Sequence, residues 1–263
     1  MNRVIGQDKL IAKLKSYSIA TLHHSIMLLG DKGCGKHTLV TELAKYFNVD
    51  VIDISESISL DTITEINNRP IPTFYIIDSS LITERHQNII LKFLEEPTPY
   101  AFIFLLCTNK SIVLSTIVNR CLIYEFEPYS KETLSQFVNG DARVLDVCTT
   151  PGQVLSMHAN DLDELQKLCN TIITRIGKAN YPNTLSIVKK INLKDEYDKF
   201  DIDVFFNVLL KTIYDSVLTN NCDKKLFSLY NLVSNYKKKL QDTRLNKELF
   251  LENFLTTLWE FMR

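Results

Sequence analysis

A chain of 263 residues, 45% of them hydrophobic, with 30 Lys and Arg against 31 Asp and Glu and a formal charge of −1, can hold one to three domains with real cores. That balance gives no whole-molecule attraction to nucleic acid or to an acidic membrane surface, so any such contact needs a local patch. The six cysteines (Cys34, Cys107, Cys121, Cys148, Cys169, Cys222) stand singly, without a CxxC pair or a histidine at ligand spacing, which speaks against a zinc site or a disulfide framework.

The N-terminus, MNRVIGQDKLIAKLK, has no uninterrupted apolar region, and no apolar run approaches the roughly 20 residues of a bilayer-spanning helix. The expectation is a cytoplasmic protein without membrane contact. Up to about residue 127, helical patterns alternate with short β-branched and aromatic runs, the signature of βαβ units around a parallel sheet.

The first such run, His24–Gly30, leads straight into Gly30-Asp31-Lys32-Gly33-Cys34-Gly35-Lys36-His37-Thr38 and then an apolar helical pattern. This is G-x-x-x-x-G-K in its strand–loop–helix setting. Gly30, Gly33 and Gly35 let the backbone turn tightly so that successive N–H groups face a phosphate, while Lys36 reaches for its outer oxygens. The next position, where a Ser or Thr hydroxyl ordinarily coordinates Mg²⁺, holds His37, and imidazole is a poor ligand for so hard a cation. Thr38 follows, but on a helix it points about 100° away around the axis and does not simply take over. A glycine-rich turn that binds nothing is the competing account.

Asp50–Ile54 is the second run and Phe74–Asp78 the third. Asp78 stands where a carboxylate would hold Mg²⁺ through water, although alone it suits a helix N-cap equally well. Ser79 follows, at the position where ATP-hydrolysing proteins of this kind carry a Glu that polarises the attacking water, and a serine cannot act as that base without a partner. Ala101–Cys107 and Cys121–Phe126 complete a set of five runs, all apolar enough to be buried on both faces.

After Pro128 the strand signal disappears. Leu162, Leu165, Leu168, Cys169, Ile172, Ile173 and Ile176 lie at helical spacing, as do Ile202, Phe206, Leu209, Leu210, Ile213 and Val217, then Leu226, Leu229, Tyr230 and Val233, and finally Leu251, Phe254, Leu255 and Leu258. These stripes read as core seams. A polar stretch, Tyr181–Phe200, separates an earlier helical group from a later one, and Lys237–Lys239 reads as a solvated helix end favoured by the macrodipole rather than as a DNA contact.

In their order and spacing, VIGQ (Val4–Gln7), GDKGCGKHT, FYIIDSS, ILKFLEEP, LLCTN and TIVNRC resemble the AAA+ clamp-loader subunits, most closely the bacterial DNA polymerase III delta-prime family. The resemblance implies an α/β fold: an AAA+ phosphate-loop domain with a five-stranded parallel sheet at 1–127, a small helical lid at 128–185, and a helical collar at 186–263 through which subunits form a ring. It also implies a subunit of a hetero-pentamer that places a sliding clamp on primer-template DNA.

By the same resemblance Asn109 falls at the first sensor. With Gly30, Gly33, Gly35, Lys36, Thr38 and Asp78 it would form a nucleotide site. Asn119-Arg120-Cys121 stands where the family has a serine-arginine-cysteine motif, so Arg120 is implied to be a finger reaching ATP held by a neighbour, where a guanidinium compensates growing charge. A helix-terminal arginine paired with a surface carboxylate is the alternative.

Thr149–Leu155 resembles the start of the lid helix, with Gly152 where motor subunits carry a phosphate-sensing arginine, and Thr243–Leu255 resembles a late collar stretch. The four-cysteine zinc module of many relatives is missing: about 40 residues separate Lys36 from Asp78, and none between them is cysteine. With His37, Ser79 and Gly152 in place of hydrolytic groups, the expectation is a finger-donating subunit with little or no ATPase of its own. No cofactor would be required, and ATP or ADP with Mg²⁺ would bind weakly at most. The competing readings are an active loader ATPase and a nucleotide-independent scaffold.

Overall fold

The β-branched and aromatic runs of the first half do pair as strands. In the computed structural model, which describes residues 4–175, 201–219, 224–240 and 246–263, they are β1 (Ser25–Leu29), β2 (Asp50–Asp53), β3 (Thr73–Asp78), β4 (Ala101–Cys107) and β5 (Leu122–Glu125). All pair in parallel, in the order β2-β3-β4-β1-β5. The chain divides into two compact units, Met1–Thr133 and Leu134–Arg263, and the sheet belongs to the first.

The period-two alternation of strand side chains sends successive residues to opposite faces. Phe74, Ile76, Phe102 and Phe104 pack toward α1 (Asp8–Lys15) and α2 (Lys36–Phe47), with Leu39, Val40 and Leu43 of α2 in the same core. Tyr75, Ile77, Ile103 and Leu105 face the other way, toward α3 (Leu60–Asn68), α4 (Glu84–Glu95) and α5 (Ser115–Val118), where Ile66, Phe93 and Ile117 meet them. Helices thus cover both faces, and β4, central in the sheet, is buried along its whole length.

The expectation that all five runs are buried on both faces fails at the two edges. Asp50, Val51 and Asp53 of β2 are exposed, as are Leu122 and Glu125 of β5. Each edge strand has a neighbour on one side only, so part of its length meets water. The β2 margin is tied by Arg69, whose Nη2 donates to Asp50 Oδ2 at 2.6 Å and whose Nε donates to Thr73 Oγ1 at 3.0 Å.

A short helix, α6 (Lys131–Ser135), lies across the boundary between the units. The second unit is helical among the described residues: α7 (Pro151–Ser156), α8 (Ala159–Arg175), α9 (Ile202–Thr219), α10 (Lys224–Lys239) and α11 (Lys247–Met262). Thr150 caps α7 by accepting from the Gln153 N–H. Helix α9 is its centre, with Val204, Phe205, Phe206, Val208, Leu209 and Ile213 buried, a wider apolar surface than its sequence stripe indicates. Phe206 packs on Phe254 of α11 at 4.8 Å between ring centroids, and Tyr236 of α10 closes on the same ring at 5.2 Å.

The predicted seams hold at most of their described positions: Leu162, Leu165, Cys169 and Ile172 are buried, as are Leu229 and Val233, and Leu251, Phe254, Leu255 and Leu258, while Leu168, Ile173, Leu226 and Tyr230 are half-buried. Ile176, the stretch Tyr181–Phe200, Cys222 and Thr243–Leu245 lie outside the described residues, as does the expected boundary near residue 185. Segments on both sides of it pack in one unit, where Asn207 Nδ2 donates to the Val147 carbonyl at 2.6 Å and Lys211 Nζ pairs with Asp146 Oδ2 at 2.5 Å. The reading of Lys237–Lys239 as wholly solvated is corrected at its first residue: Lys237 is half-buried and donates to Asn207 Oδ1, while Lys238 and Lys239 are exposed. Among the described residues no helix is long and apolar enough to cross a membrane.

Candidate functional site

In a parallel sheet the loops after the strands gather at the carboxyl edge, where ligands of such folds bind. Register fixes what meets there. Leu29 stands opposite Cys107 and Asp78 opposite Leu106, so the loop after β1, Asp78 at the end of β3, and Thr108-Asn109 after β4 converge on three adjacent strand ends.

The loop has the backbone its glycines predict. Gly33 and Gly35 have φ of 79° and 99°, the left-handed region that strains an L side chain. Gly30 is a different case: a Cβ there would lie 2.8 Å from Phe126 Cβ and 2.9 Å from Cys34 Sγ. Helix α2 then starts at Lys36 with no side-chain cap on its N-terminal amides. Unpaired first-turn N–H groups at the positive end of a helix fit phosphate oxygens.

Lys36 is folded back on its own loop, where Nζ donates to Gly30 O at 2.6 Å and to Asp31 O at 2.9 Å. A phosphate would have to replace these carbonyls. Tyr129, which the sequence did not single out, holds the loop from the other side by donating its hydroxyl to Cys34 O at 2.6 Å. Burial pushes the Tyr129 hydroxyl up to about 12, so it stays a donor. Burial also pushes the Cys34 thiol up, with Lys36 acting in the opposite direction, so the thiol is not an activated nucleophile.

The metal side of the site is spent elsewhere. His37 Nε2 lies 3.6 Å from Asp53 Oδ2 at the end of β2. The other oxygen of Asp53 accepts from Ser55 N at 2.9 Å and Ser55 Oγ at 2.6 Å, and Ser55 Oγ in turn accepts from the Asp78 N–H at 2.8 Å. Asp78 Oδ1 accepts from Ser80 N at 2.8 Å and Ser80 Oγ at 2.7 Å. Asp78 therefore closes an Asx turn, and the N-cap role weighed for it belongs to Thr83, which accepts from His86 N. Mg²⁺ needs several oxygens in near-octahedral array. An imidazole turned to Asp53, with a carboxylate oxygen already holding two donors, does not fit that ion.

Thr38 is half-buried in the first turn of α2, and Asn109 Oδ1 accepts from Ser111 N at 2.9 Å, capping the 3₁₀ turn Lys110–Ile112. Ser79 is 5% exposed, and its hydroxyl lies against the buried Cys107 thiol, where it opposes the upward push of burial on that thiol.

Arg120 is brought to none of these groups. It precedes β5, whose Leu122 pairs with Ile26, whereas the loop follows Leu29. Three strand steps, roughly 10 Å, separate those register positions. Arg120 thus lies toward the amino edge of the sheet, with its side chain 37% exposed and Nη2 2.9 Å from Glu95 Oε1. The pairing of a helix-terminal arginine with a surface carboxylate is what the chain shows. Gly152 is the second residue of α7, in the other unit.

Residues 58–130 match the family described as DNA polymerase III, delta subunit. The DNA polymerase III subunit gamma of Buchnera aphidicola subsp. Schizaphis graminum is 23% identical over 95% of this chain and 76% of its own length. The subunit delta' of the same organism is 26% identical over 81% of this chain and 65% of its own length. Across the gamma relatives the matched share of their length runs from 76% down to 44%. Among solved structures, a DNA polymerase III gamma subunit-related protein of Thermotoga maritima is 19% identical, with a TM-score of 0.45, over 98% of this chain and 99% of that one.

Proposed function

We propose that this chain, similar as it is to clamp-loader-type AAA+ subunits, works as one: a delta-prime-like clamp-loader subunit of the replicative DNA polymerase that lends Arg120 to a neighbour's ATP and hydrolyses little or none itself. Its assembly with other loader subunits in a hetero-pentamer, the loading of a sliding clamp on primed DNA, and the division into nucleotide-type domain (1–127), lid (128–185) and collar (186–263) belong to the same proposal.

The observation that carries it is a separation. The phosphate loop and Asp78 sit at the carboxyl edge with their metal-side groups engaged by Asp53 and Ser80, and Arg120 is exposed toward the other edge. An arginine so placed can serve a nucleotide held outside its own domain, where a guanidinium compensates the charge of phosphoryl transfer.

The test is equilibrium binding of a fluorescent ATP analogue to the purified chain, with and without Mg²⁺, alongside phosphate release from the same sample. The expected result is weak or absent binding and no release. Binding that needs Mg²⁺, with steady release abolished in Lys36→Ala, would overturn the non-hydrolysing reading and make His37 and Ser79 parts of a variant active site.

A further inference from the structure

Arg120 is held at both of its terminal nitrogens. Nη2 donates to Glu95 Oε1 and Nη1 to the Thr116 carbonyl, each at 2.9 Å. Thr116 belongs to the same short helix that precedes Arg120, so its carbonyl travels with the arginine. Glu95 comes from elsewhere, as the last residue of α4, and its carboxylate is the one group in this pair of contacts that carries a charge.

A guanidinium presents five N–H donors in one plane, and a carboxylate and a phosphate draw on the same donors; here Glu95 takes one of them, at Nη2. The Glu95 and Arg120 side chains are 47% and 37% exposed, so water screens the pair and no buried-charge cost locks it shut. The contact is strong enough to bias the arginine and weak enough to be displaced by an anion of higher charge.

We propose that Glu95 is a latch on Arg120: its carboxylate competes with the neighbour's phosphate for one guanidinium, and engagement of the finger requires their separation. This rests on the reading of Arg120 as a finger that acts on a neighbour. Glu95 touches no nucleotide and is a positioning residue that acts through Arg120. A latch of this kind alters how readily the finger engages and leaves unchanged what it does once engaged. Its signature is therefore a change in KM without a change in kcat.

Two measurements test it with Glu95→Gln, which keeps the side chain's volume at an exposed helix end. In the purified chain, modification of Arg120 by phenylglyoxal, followed by peptide mass spectrometry, is expected to run about two- to fivefold faster in the variant, the range an exposed pair can supply. Equal rates would overturn the latch, whatever Arg120 does in a complex. In the complex reconstituted with the gamma-type ATPase subunit of the same organism, Glu95→Gln is expected to lower the KM for ATP by about two- to fivefold at unchanged kcat, and to have no effect when combined with Arg120→Ala. A fall in kcat, or a KM shift that persists without Arg120, would refute the proposal. If Arg120→Ala alone leaves turnover unchanged, the finger reading fails, and the phenylglyoxal rates still decide whether Glu95 restrains the arginine.

Discussion

Arg120→Ala is expected to leave folding and assembly intact and to cut turnover at the one ATP site it serves by about 10³-fold, the usual loss when the main charge-compensating arginine is withdrawn from a phosphoryl-transfer site. Folding should survive because the side chain is 37% exposed and its contacts are a surface carboxylate and a nearby helix carbonyl; surface pairs of this kind contribute about 0–1 kcal/mol. The overall ATPase of a ring with several sites should fall by less than the loss at the single site. Steady-state turnover in the presence of clamp and primed DNA, with assembly checked by gel filtration, separates the effects. Unchanged turnover with intact assembly would remove Arg120 from the mechanism and favour a scaffold indifferent to nucleotide.

Phe104→Ala should instead act on the fold, destabilising the first unit by about 3–5 kcal/mol. Phe104 is fully buried on β4, the central strand, with its ring 4.8 Å from that of Phe74. Phe74 also meets Phe102 at 5.7 Å and Phe47 of α2 at 6.1 Å, so the lost ring would unsettle a contiguous aromatic layer between sheet and helix. Against a total stability of about 5–15 kcal/mol for a domain, such a loss is a large fraction. Denaturant unfolding should show a lower midpoint, and Val51→Ala on the exposed strand β2 is the control that should barely move it. Equal effects at the two positions would contradict the assignment of β4 to the centre.

Much of this was legible in the letters, and the parts that were not share a cause. Ala101–Cys107 could be bounded to the residue because seven successive apolar side chains leave no doubt about where the strand starts and stops. DVIDI could not reveal that β2 is an edge, since a strand's place in the sheet depends on its partners rather than on its own composition. The glycine spacing of 30–36 announced the loop. The hydroxyl that steadies it, on Tyr129, is 95 residues away from Cys34 in sequence, and Glu95 is 25 residues from Arg120. Pairings over such distances leave no local pattern. Asp78 was visible as a strand-terminal acid, whereas nothing in the letters singled out Asp53, and only the fold links the two through the Ser55 hydroxyl.

The short margins of the sheet bear on how copies of this chain behave when crowded. An open strand edge is a template on which a second molecule can extend the sheet, the first step toward fibres. Here both open strands are only four residues long. Their acids are engaged: Asp50 pairs with Arg69 at 2.6 Å, Glu125 with Lys110 at 2.7 Å, and Asp53 faces His37 at 3.6 Å. A further strand laid at the usual spacing, roughly 5 Å, would find only a short ladder beside side chains already held by Arg69 and Lys110. Short edges bordered by ion pairs thus blunt the growth of the sheet by its own kind.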